Sequence, residues 1–381
     1  MTEYSEFRLG TLCKRFSSGK GISADLINTV GKYPVIGGNG LRGYTDTFNF
    51  DGECAVIGRQ GAYCGNVQYF SGKGYMTEHA VVAEPNEANN AKYLTYKLGG
   101  LSLGRFSGQA AQPGLSVTKL ARLRIEMPPK WYQDEVADIL SAYDNLIEVN
   151  NKRIKMLEQM AENLYKEWFV RFRFPGHENA EFENGIPKGW ERNHISKFYL
   201  TSSGGTPSRE NDENYDNGTI PWVKTGELQD CLLIDTEEKI TEAAIKKSSA
   251  KIFPKDSVLM AMYGVNIGML AYSTMEATCN QACCVFRDKA AISTKHYLFQ
   301  CLKSIRDYLL LIGFGAAQQN LSQDLIKRVK IVMPDKDTLI RFEQEIESLY
   351  DETKLLHKAN RNLVKQRDLL LPRLMGGKLE V

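Results

Sequence analysis

The chain has 381 residues, more than one hydrophobic core usually organises, so two or three domains are expected. Its 43% hydrophobic and 25% charged residues are typical of globular proteins, and no apolar run approaches the roughly eighteen residues of a membrane span. The net charge of +2 specifies no partner. Eight scattered cysteines without a CxxC pair, and an N-terminus without a secretory pattern, predict a reduced, cytoplasmic compartment.

The first predicted domain covers residues 1–129 and alternates short apolar runs with turns. CAVIGR, NVQYF and HAVVAE are typical of strands and AKYLTYKLGG is typical of a helix, which indicates a mixed α/β domain with a small sheet. The segment GGNGLRG holds a GxGxxG pattern at Gly38, Gly40 and Gly43, but the turn-rich YTDTFNFDGE follows it instead of a helix. A flexible glycine-rich loop is therefore favoured over a dinucleotide site.

A long spacer helix is predicted within residues 130–175, directly after Pro128 and Pro129. Residues 132–169 contain neither glycine nor proline, as an uninterrupted helix requires.

A second domain, residues 186–334, repeats the first. AAQPGLSVTKLARLRIEMP (110–128) and AAQQNLSQDLIKRVKIVMP (316–334) are identical at nine of nineteen positions at an offset of 206. Further upstream, CAVIGRQGAYCG parallels VLMAMYGVNIG, and EHAVV (78–82) parallels NQACC (280–284). The chain is therefore a duplicated unit.

The second spacer helix and a C-terminal tail occupy residues 335–381, with an apolar seam in steps of four and three that polar residues interrupt. This seam comprises Phe342, Ile346, Leu349, Thr353, Leu356, Asn360, Leu363, Arg367 and Leu370. At an offset of 207 the first helix offers Ile139, Leu146, Val149, Met156 and Met160, interrupted by Arg153 and Asn163. We expect the two helices to pair along these seams, because long amphipathic helices need a partner. The alternative is that each helix packs on its own domain.

Catalytic and metal-binding patterns are missing from the sequence. Cys279, Cys283 and Cys284 form the main cysteine cluster, but their spacing does not match a zinc site and their apolar surroundings favour the core. We find no Walker loop, GxSxG, HExxH or convincing nuclease carboxylate pattern. The sequence predicts a binding protein that is not an enzyme by itself.

Several runs in the chain resemble the specificity (S) subunit of type I restriction–modification systems. They are GQAAQPGLSVTKLARLRIEMPPKWYQDEVADIL, the following LSAYDNLIEVNNKRIKMLEQMAENLYKEWFVRF, IPKGWERNHISKF and the terminal LLLPRLMGGKLEV. The resemblance covers nearly the whole chain in the family's order.

The resemblance implies a fold and a function. The fold is α/β, with two duplicated target-recognition domains separated by two long antiparallel paired (coiled-coil) helices. Each domain would read one half of a bipartite double-stranded DNA site, and the helices would dock two adenine methyltransferase (M) subunits, which restriction and motor (R) subunits join. The chain would need no cofactor of its own, because S-adenosylmethionine would bind the partner methyltransferase.

Two features depart from the family pattern. The first domain begins at EFRLG without the IPxGW that the second domain has at Ile186–Trp190, so its start would be minimal or anchored differently. After the prolines, the first helix has Gln133 where the second has Leu339, so the two docking surfaces need not be equivalent.

Arginine, lysine, amide and hydroxyl side chains read DNA bases and phosphates, and loops present them. In the first domain the candidates are Lys20, Asn39, Arg42, Arg59, Gln60, Arg105, Gln109 and Gln112. In the second domain they are Arg209, Lys224, Thr225, Tyr263, Asn266, Gln318, Gln319 and Asn320. Any of them could instead be a solvated surface residue, and Gln112 and Gln318, present in both copies, could cap the junction.

The competing interpretation is a free-standing DNA-binding or scaffold protein with coiled-coil spacers. Copurification with methyltransferase subunits, or an adjacent adenine methyltransferase gene, distinguishes the two.

Overall fold

The computed structural model describes residues 3–108, 114–289, 293–313 and 320–379. The chain divides into two compact units, Met1–Val149 with Arg361–Val381 (unit 1) and Asn150–Asn360 (unit 2). Both boundaries fall inside a long helix, so each unit contains part of both long helices.

Unit 1 is built around a six-stranded sheet. Its strands and short helices are β1 (Ser5–Arg8), β2 (Cys13–Ser18), β3 (Tyr33–Gly37), β4 (Gly40–Thr45), β5 (Phe50–Gly58), β6 (Val67–Met76), β7 (Ala80–Pro85), α1 (Ala91–Gly99), α2 (Val117–Ala121) and β8 (Arg124–Met127). The sheet order is β2-β7-β5-β6-β3-β4, and β3 pairs with β6 in parallel. The sheet curls back on itself, because the amide of Lys20, just after β2, donates to Met76 O at the end of β6 (2.9 Å).

Helix α1 covers one face of this sheet. The side chain of Asn90 caps it by accepting from the amides of Lys92 and Tyr93, a standard N-cap arrangement. Tyr93, Leu94 and Leu98 are fully buried in the same core. The helix packs against β5 and β6 and so stiffens the strands that end at the loops described below.

Unit 2 contains a five-stranded sheet and a three-stranded sheet. Its elements are β9 (Phe182–Glu183), β10 (Ile186–Pro187), β11 (Glu191–His194), α4 (Ile195–Phe198), β12 (Tyr199–Ser203), β13 (Ile220–Val223), β14 (Cys231–Leu233), β15 (Glu238–Ile240), α5 (Glu242–Lys247), β16 (Val258–Ala261), β17 (Leu270–Ser273), β18 (Thr278–Cys279), β19 (Cys283–Asp288), α6 (Lys295–Ser304), α7 (Arg306–Gly313), α8 (Gln323–Arg328) and β20 (Lys330–Met333). The sheet orders are β12-β19-β16-β17-β14 and β15-β13-β18. Helix α6 packs on β16 and β17, as α1 does on its sheet.

The duplication is visible in the backbone hydrogen bonds. Gly65 N donates to Gly58 O in unit 1, and Gly268 N donates to Ala261 O in unit 2, both at 2.8 Å. These glycines have φ of +87° and +78°, a conformation that other residues rarely adopt, which explains why both copies keep glycine there. The same local geometry is therefore built twice.

Both units also begin in the same way, which corrects the expectation for the first one. Strand β1 pairs antiparallel with β8 (Ser5 opposite Met127), and β11 pairs antiparallel with β20 (Glu191 opposite Met333). In unit 2 the IPxGW motif precedes β11. Unit 1 has the equivalent strand, β1, without that motif.

The two long helices are α3 (Lys130–Tyr165), which continues as a π-helical turn at Lys166–Val170, and α9 (Lys336–Met375). In unit 1, Arg367 Nη1 donates to Asp144 Oδ1 (2.6 Å). In unit 2, Asn150 Nδ2 donates to Asn360 Oδ1 (2.8 Å) and Arg153 pairs with Glu352. Residue numbers rise along α3 as they fall along α9, so the helices are paired antiparallel.

The predicted seam is right for α9 and wrong for α3. In α9, Phe342, Ile346, Thr353 and Asn360 are buried. The stripe proposed for α3 is exposed instead, with exposures of 38% at Ile139, 47% at Leu146, 58% at Val149, 65% at Met156 and 55% at Met160.

The cause is a shift of one residue. At the offset of 206, which the Met-Pro junction fixes, Phe342 corresponds to Val136, Ile346 to Leu140, Asn360 to Ile154 and Leu363 to Leu157. These four α3 residues are buried. A helix turns about 100° per residue, so an offset of 207 selects the neighbouring face.

Candidate DNA-recognition surface

One end of the unit 1 sheet gathers the loops that carry most of its predicted DNA-reading residues. Lys20 follows β2 and is held to Met76 by its backbone amide. Arg59 follows β5, and its amide donates to His79 O (2.9 Å) in the turn before β7. Asn39 lies in the β3–β4 turn, next to Gly38, where an added Cβ would come within 3.0 Å of the same His79 O. The sheet thus brings Lys20, Asn39 and Arg59 to one surface.

The β3–β4 turn holds the GxGxxG pattern, and strand β4 follows it rather than a helix. Gly40 has φ +93°, and a Cβ there would meet the Gln68 side-chain oxygen at 2.8 Å. The pattern is therefore explained by a tight hairpin turn against a neighbouring side chain. Arg42, on β4, passes its side chain across Gly37 and remains exposed.

Arg105 and Gln60 border the same surface. Gln60 forms an isolated bridge with Gly114, and Leu115 N donates to Arg59 O (2.9 Å). Arg105 lies in the turn Leu103–Phe106, which packs closely against Gly65 of the β5–β6 loop. The remaining two candidates of this domain, Gln109 and Gln112, lie outside the described residues.

Unit 2 gathers the equivalent loops at the end of its sheets. Thr225 follows β13, Tyr263 follows β16, and Leu321 N donates to Met262 O (2.8 Å), which places Asn320 beside them. Tyr263 is 36% exposed and its neighbour Val265 is fully exposed. Gln318 and Gln319 lie outside the described residues.

The side chain of Asn266 connects two loops of this surface by hydrogen bonds. Its Nδ2 donates to the backbone oxygens of Thr225 (3.0 Å), Gly226 (3.3 Å) and Leu228 (3.2 Å). The side chain ties the β16–β17 loop to the turn after β13, so its donors are occupied by the protein.

Arg209 and Lys224 share one carboxylate. Arg209 Nη2 is 2.7 Å from Glu238 Oε2, and Lys224 Nζ is 2.8 Å from Glu238 Oε1 and 2.9 Å from Glu237. The hydrogen bonds from Glu238 and Glu237 raise the pKa of Lys224, and the bond from Lys224 lowers the pKa of Glu238. Both ions of the pair therefore stay charged near neutral pH.

The described residues contain no cluster of acidic, histidine or cysteine side chains able to hold a metal ion. Cys279, Cys283 and Cys284 are fully buried among hydrophobic core residues, as the sequence predicted. Within the same described ranges, no helix is long and apolar enough to cross a membrane.

A sequence model of the type I restriction modification DNA specificity domain matches residues 1–159 and 187–364. The chain belongs to this family. Its specificity-subunit fold is the mixed α/β arrangement of two domains and coiled-coil spacers that the sequence predicted.

Known specificity subunits match this chain over most of its length or over a shorter segment. The MjaIX type I restriction enzyme specificity subunit of Methanocaldococcus jannaschii is 28% identical over 316 residues, which are 78% of this chain and 71% of that protein. The EcoprrI specificity subunit of Escherichia coli is 44% identical over 114 residues, or 30% of this chain and 28% of that protein. The crystal structure of the S subunit from M. genitalium has the same fold, with a TM-score of 0.67 at 15% identity over 98% of this chain and 96% of that one.

Sequence reasoning missed two residues of this specificity subunit's loops. Ala80 N donates to Thr77 O and Cys283 N donates to Asn280 O, so these turns correspond at an offset of 203, and Glu78 of unit 1 is equivalent in position to Gln281 of unit 2. Gln281 accepts a hydrogen bond from Thr206, and Glu78 lies beside His79. The alignment of EHAVV with NQACC already contained this signal, displaced by one residue.

Proposed function

We propose that each unit of this specificity subunit reads one half of a bipartite DNA sequence and that the long helices dock adenine methyltransferase subunits. The observation that carries the proposal is the duplicated backbone with different side chains at its loops. Where unit 1 has Arg59 and His79, unit 2 has Met262 and Ala282, joined by the same amide-to-carbonyl bond. One scaffold with two sets of side chains suits two half-sites of different sequence.

The charge of the two surfaces also differs. Among the described residues, Lys20 and Arg42 of unit 1 make no ion pair and are exposed. In unit 2, Glu237 and Glu238 pair with the candidate cations. Unit 1 therefore offers unpaired cations to phosphate, whereas unit 2 relies more on shape and neutral contacts.

The exposed stripe on α3 supports the docking of a protein partner. Leu146, Val149, Met156 and Met160 keep heptad-like spacing and are each about half exposed or more, whereas the outer face of a paired helix is normally polar. Methionine is enriched on surfaces that bind partners. Val149 and Leu355 are equivalent at the offset of 206 and are 58% and 65% exposed, which suits one methyltransferase subunit on each helix.

In this proposal the chain supplies the sequence specificity and its partner subunits supply the catalytic activity. The methyltransferase subunits bind S-adenosylmethionine and methylate adenine, and restriction and motor subunits join that core in the cytoplasm. The purified chain alone is expected to show neither methyl transfer nor DNA cleavage.

The test is to co-express the chain with a type I adenine methyltransferase subunit from the same genome and to map methylated adenines across the host genome. The proposal expects one motif with two specified halves and an unspecified gap, together with a stable complex of the two proteins. Methylation at a continuous motif, or by the isolated chain, would overturn it.

A further inference from the structure

Arg209 of unit 2 lies against two aromatic rings whose planes meet at 73°. Its guanidinium carbon lies 4.3 Å from the ring centre of Tyr215 and 5.3 Å from that of Trp222. Both rings are tied to the loop that carries Arg209, because Tyr215 OH donates to Pro207 O (2.7 Å) and Trp222 Nε1 donates to Gly205 O (3.1 Å). Such stacking is stronger for arginine than for lysine, since the guanidinium is planar.

A carboxylate also pairs with this guanidinium. Glu238 Oε2 lies 2.7 Å from Arg209 Nη2, yet the Arg209 side chain is still 54% exposed. Among the described residues, no acceptor is bonded to its Nε or Nη1, and Glu238 Oε2 needs only one of the two hydrogens of Nη2, so one two-donor edge that includes Nη2 remains for a ligand. The side chain is preorganised and loses little rotamer freedom on binding.

The surroundings favour a neutral ligand over a phosphate. Two cations, Arg209 and Lys224, face the carboxylates of Glu237 and Glu238. A third carboxylate, Glu227, accepts the backbone amides of Lys224 (2.7 Å) and Glu237 (2.8 Å). A phosphate at this point would meet like charges, whereas the edge of a base carries no net charge.

We propose that Arg209 reads a guanine in the half-site bound by unit 2, with Glu238 as its positioning residue. This inference rests on the proposed function. Guanine presents two adjacent acceptors, O6 and N7, in the major groove, and two donors of one guanidinium match them. Glu238 touches the arginine and not the DNA.

Arg209→Lys tests the inference, since it keeps the charge but loses the planar pair of donors. The matched control is Arg173→Lys, because Arg173 is 64% exposed and pairs with Glu167, and no aromatic ring among the described residues lies against its guanidinium. Each variant is co-expressed with the methyltransferase, and methylation rates are compared between sites that differ at one base pair.

For Arg209→Lys we expect the preference for one G·C pair in one half-site to fall about 5- to 150-fold, with all other positions unchanged. Arg173→Lys should keep the wild-type motif. Glu238→Ala should reduce the preference for the same G·C pair less than Arg209→Lys does, since Arg209 keeps its contacts with the rings of Tyr215 and Trp222.

Three results would overturn the inference while leaving the proposed function intact. They are an unchanged motif for Arg209→Lys, an equal loss of rate at every site, which indicates a phosphate contact, and a half-site for unit 2 made only of A·T pairs. If the wild-type complex methylates no bipartite motif, the proposed function fails instead.

Discussion

At the scale of single residues, the two recognition surfaces differ in how their cations are balanced. Arg59 has one described side-chain partner, the neutral hydroxyl of Ser18 (3.4 Å). Lys224 is held by two carboxylates at 2.8 and 2.9 Å. A cation that is already paired releases fewer counterions from DNA, because its carboxylates compete with phosphate.

This difference predicts that two alanine variants will differ in the salt dependence of DNA binding. If Arg59 contacts phosphate, Arg59→Ala should reduce the slope of log affinity against log salt by about one, whereas Lys224→Ala should leave the slope nearly unchanged. The measurement is DNA binding by the complex with methyltransferase over a salt series. Equal slopes for both variants would show that ion pairing does not set the electrostatic contribution.

At the scale of elements, the sequence located the duplication, the two helices and the junctions, because these depend on local patterns. It chose the wrong face of α3, because both faces of that helix carry apolar residues at heptad spacing. It also could not show that the side chains of Asn266 and Lys224 are bonded within the protein, since their partners lie on other loops. Tertiary contacts decide such cases, and loop sequence alone does not encode them.

The junction of α1 with α3 illustrates a difference between the copies. Gln133 is 1% exposed and Leu339 2%, so the difference between them changes the interior and not an exposed surface. Gln133 Oε1 accepts from Asn90 N (3.0 Å), and its Nε2 donates to Asn89 Oδ1 (3.1 Å) and Pro128 O (2.9 Å). These bonds connect the N-terminus of α1 to the start of α3.

Gln133→Leu should destabilise unit 1 by about 1–3 kcal/mol, because two buried acceptors and the partly buried Asn90 amide would lose a partner. Hydrogen exchange of the Asn90 amide should accelerate, and Leu339→Met, a volume-conserving change at the equivalent position, should leave that amide protected. Unchanged exchange at Asn90 in Gln133→Leu would contradict the role given to this bond network.

The exposed stripe of α3 makes a second prediction at this scale. Leu146→Glu with Met160→Glu should weaken methyltransferase binding by about 2 kcal/mol or more, because two apolar contacts would be lost. Asn145→Glu with Gln159→Glu is the matched control, since these exposed residues have the same spacing and charge change on the neighbouring face. Equal binding by both double variants would place the partner elsewhere.

At the scale of the whole molecule, the helix pair is locked by polar contacts. Asn360 bonds to both Asn150 and Asn151, each at 2.8 Å, and a buried asparagine pair of this kind fixes the register of paired helices. A change in the length of one helix therefore has to be matched in the other. Matched insertions after Asn151 and after Lys358 keep all three asparagines together on one side of the added turn.

If the helices set the gap between half-sites, the gap should follow their length. Four residues add about 6 Å to an α-helix, which corresponds to one or two base pairs at roughly 3.4 Å each. Seven residues add about 10 Å, or three base pairs, and preserve the heptad seam that four residues disturb by local unwinding. The bases of both half-sites should stay the same, because every recognition loop keeps its place within its own unit.

Maps of methylated adenines for the two insertion variants supply the measurement. An unchanged gap at full activity would show that the helices do not set the spacing, and altered half-site bases would show that the units do not read DNA independently.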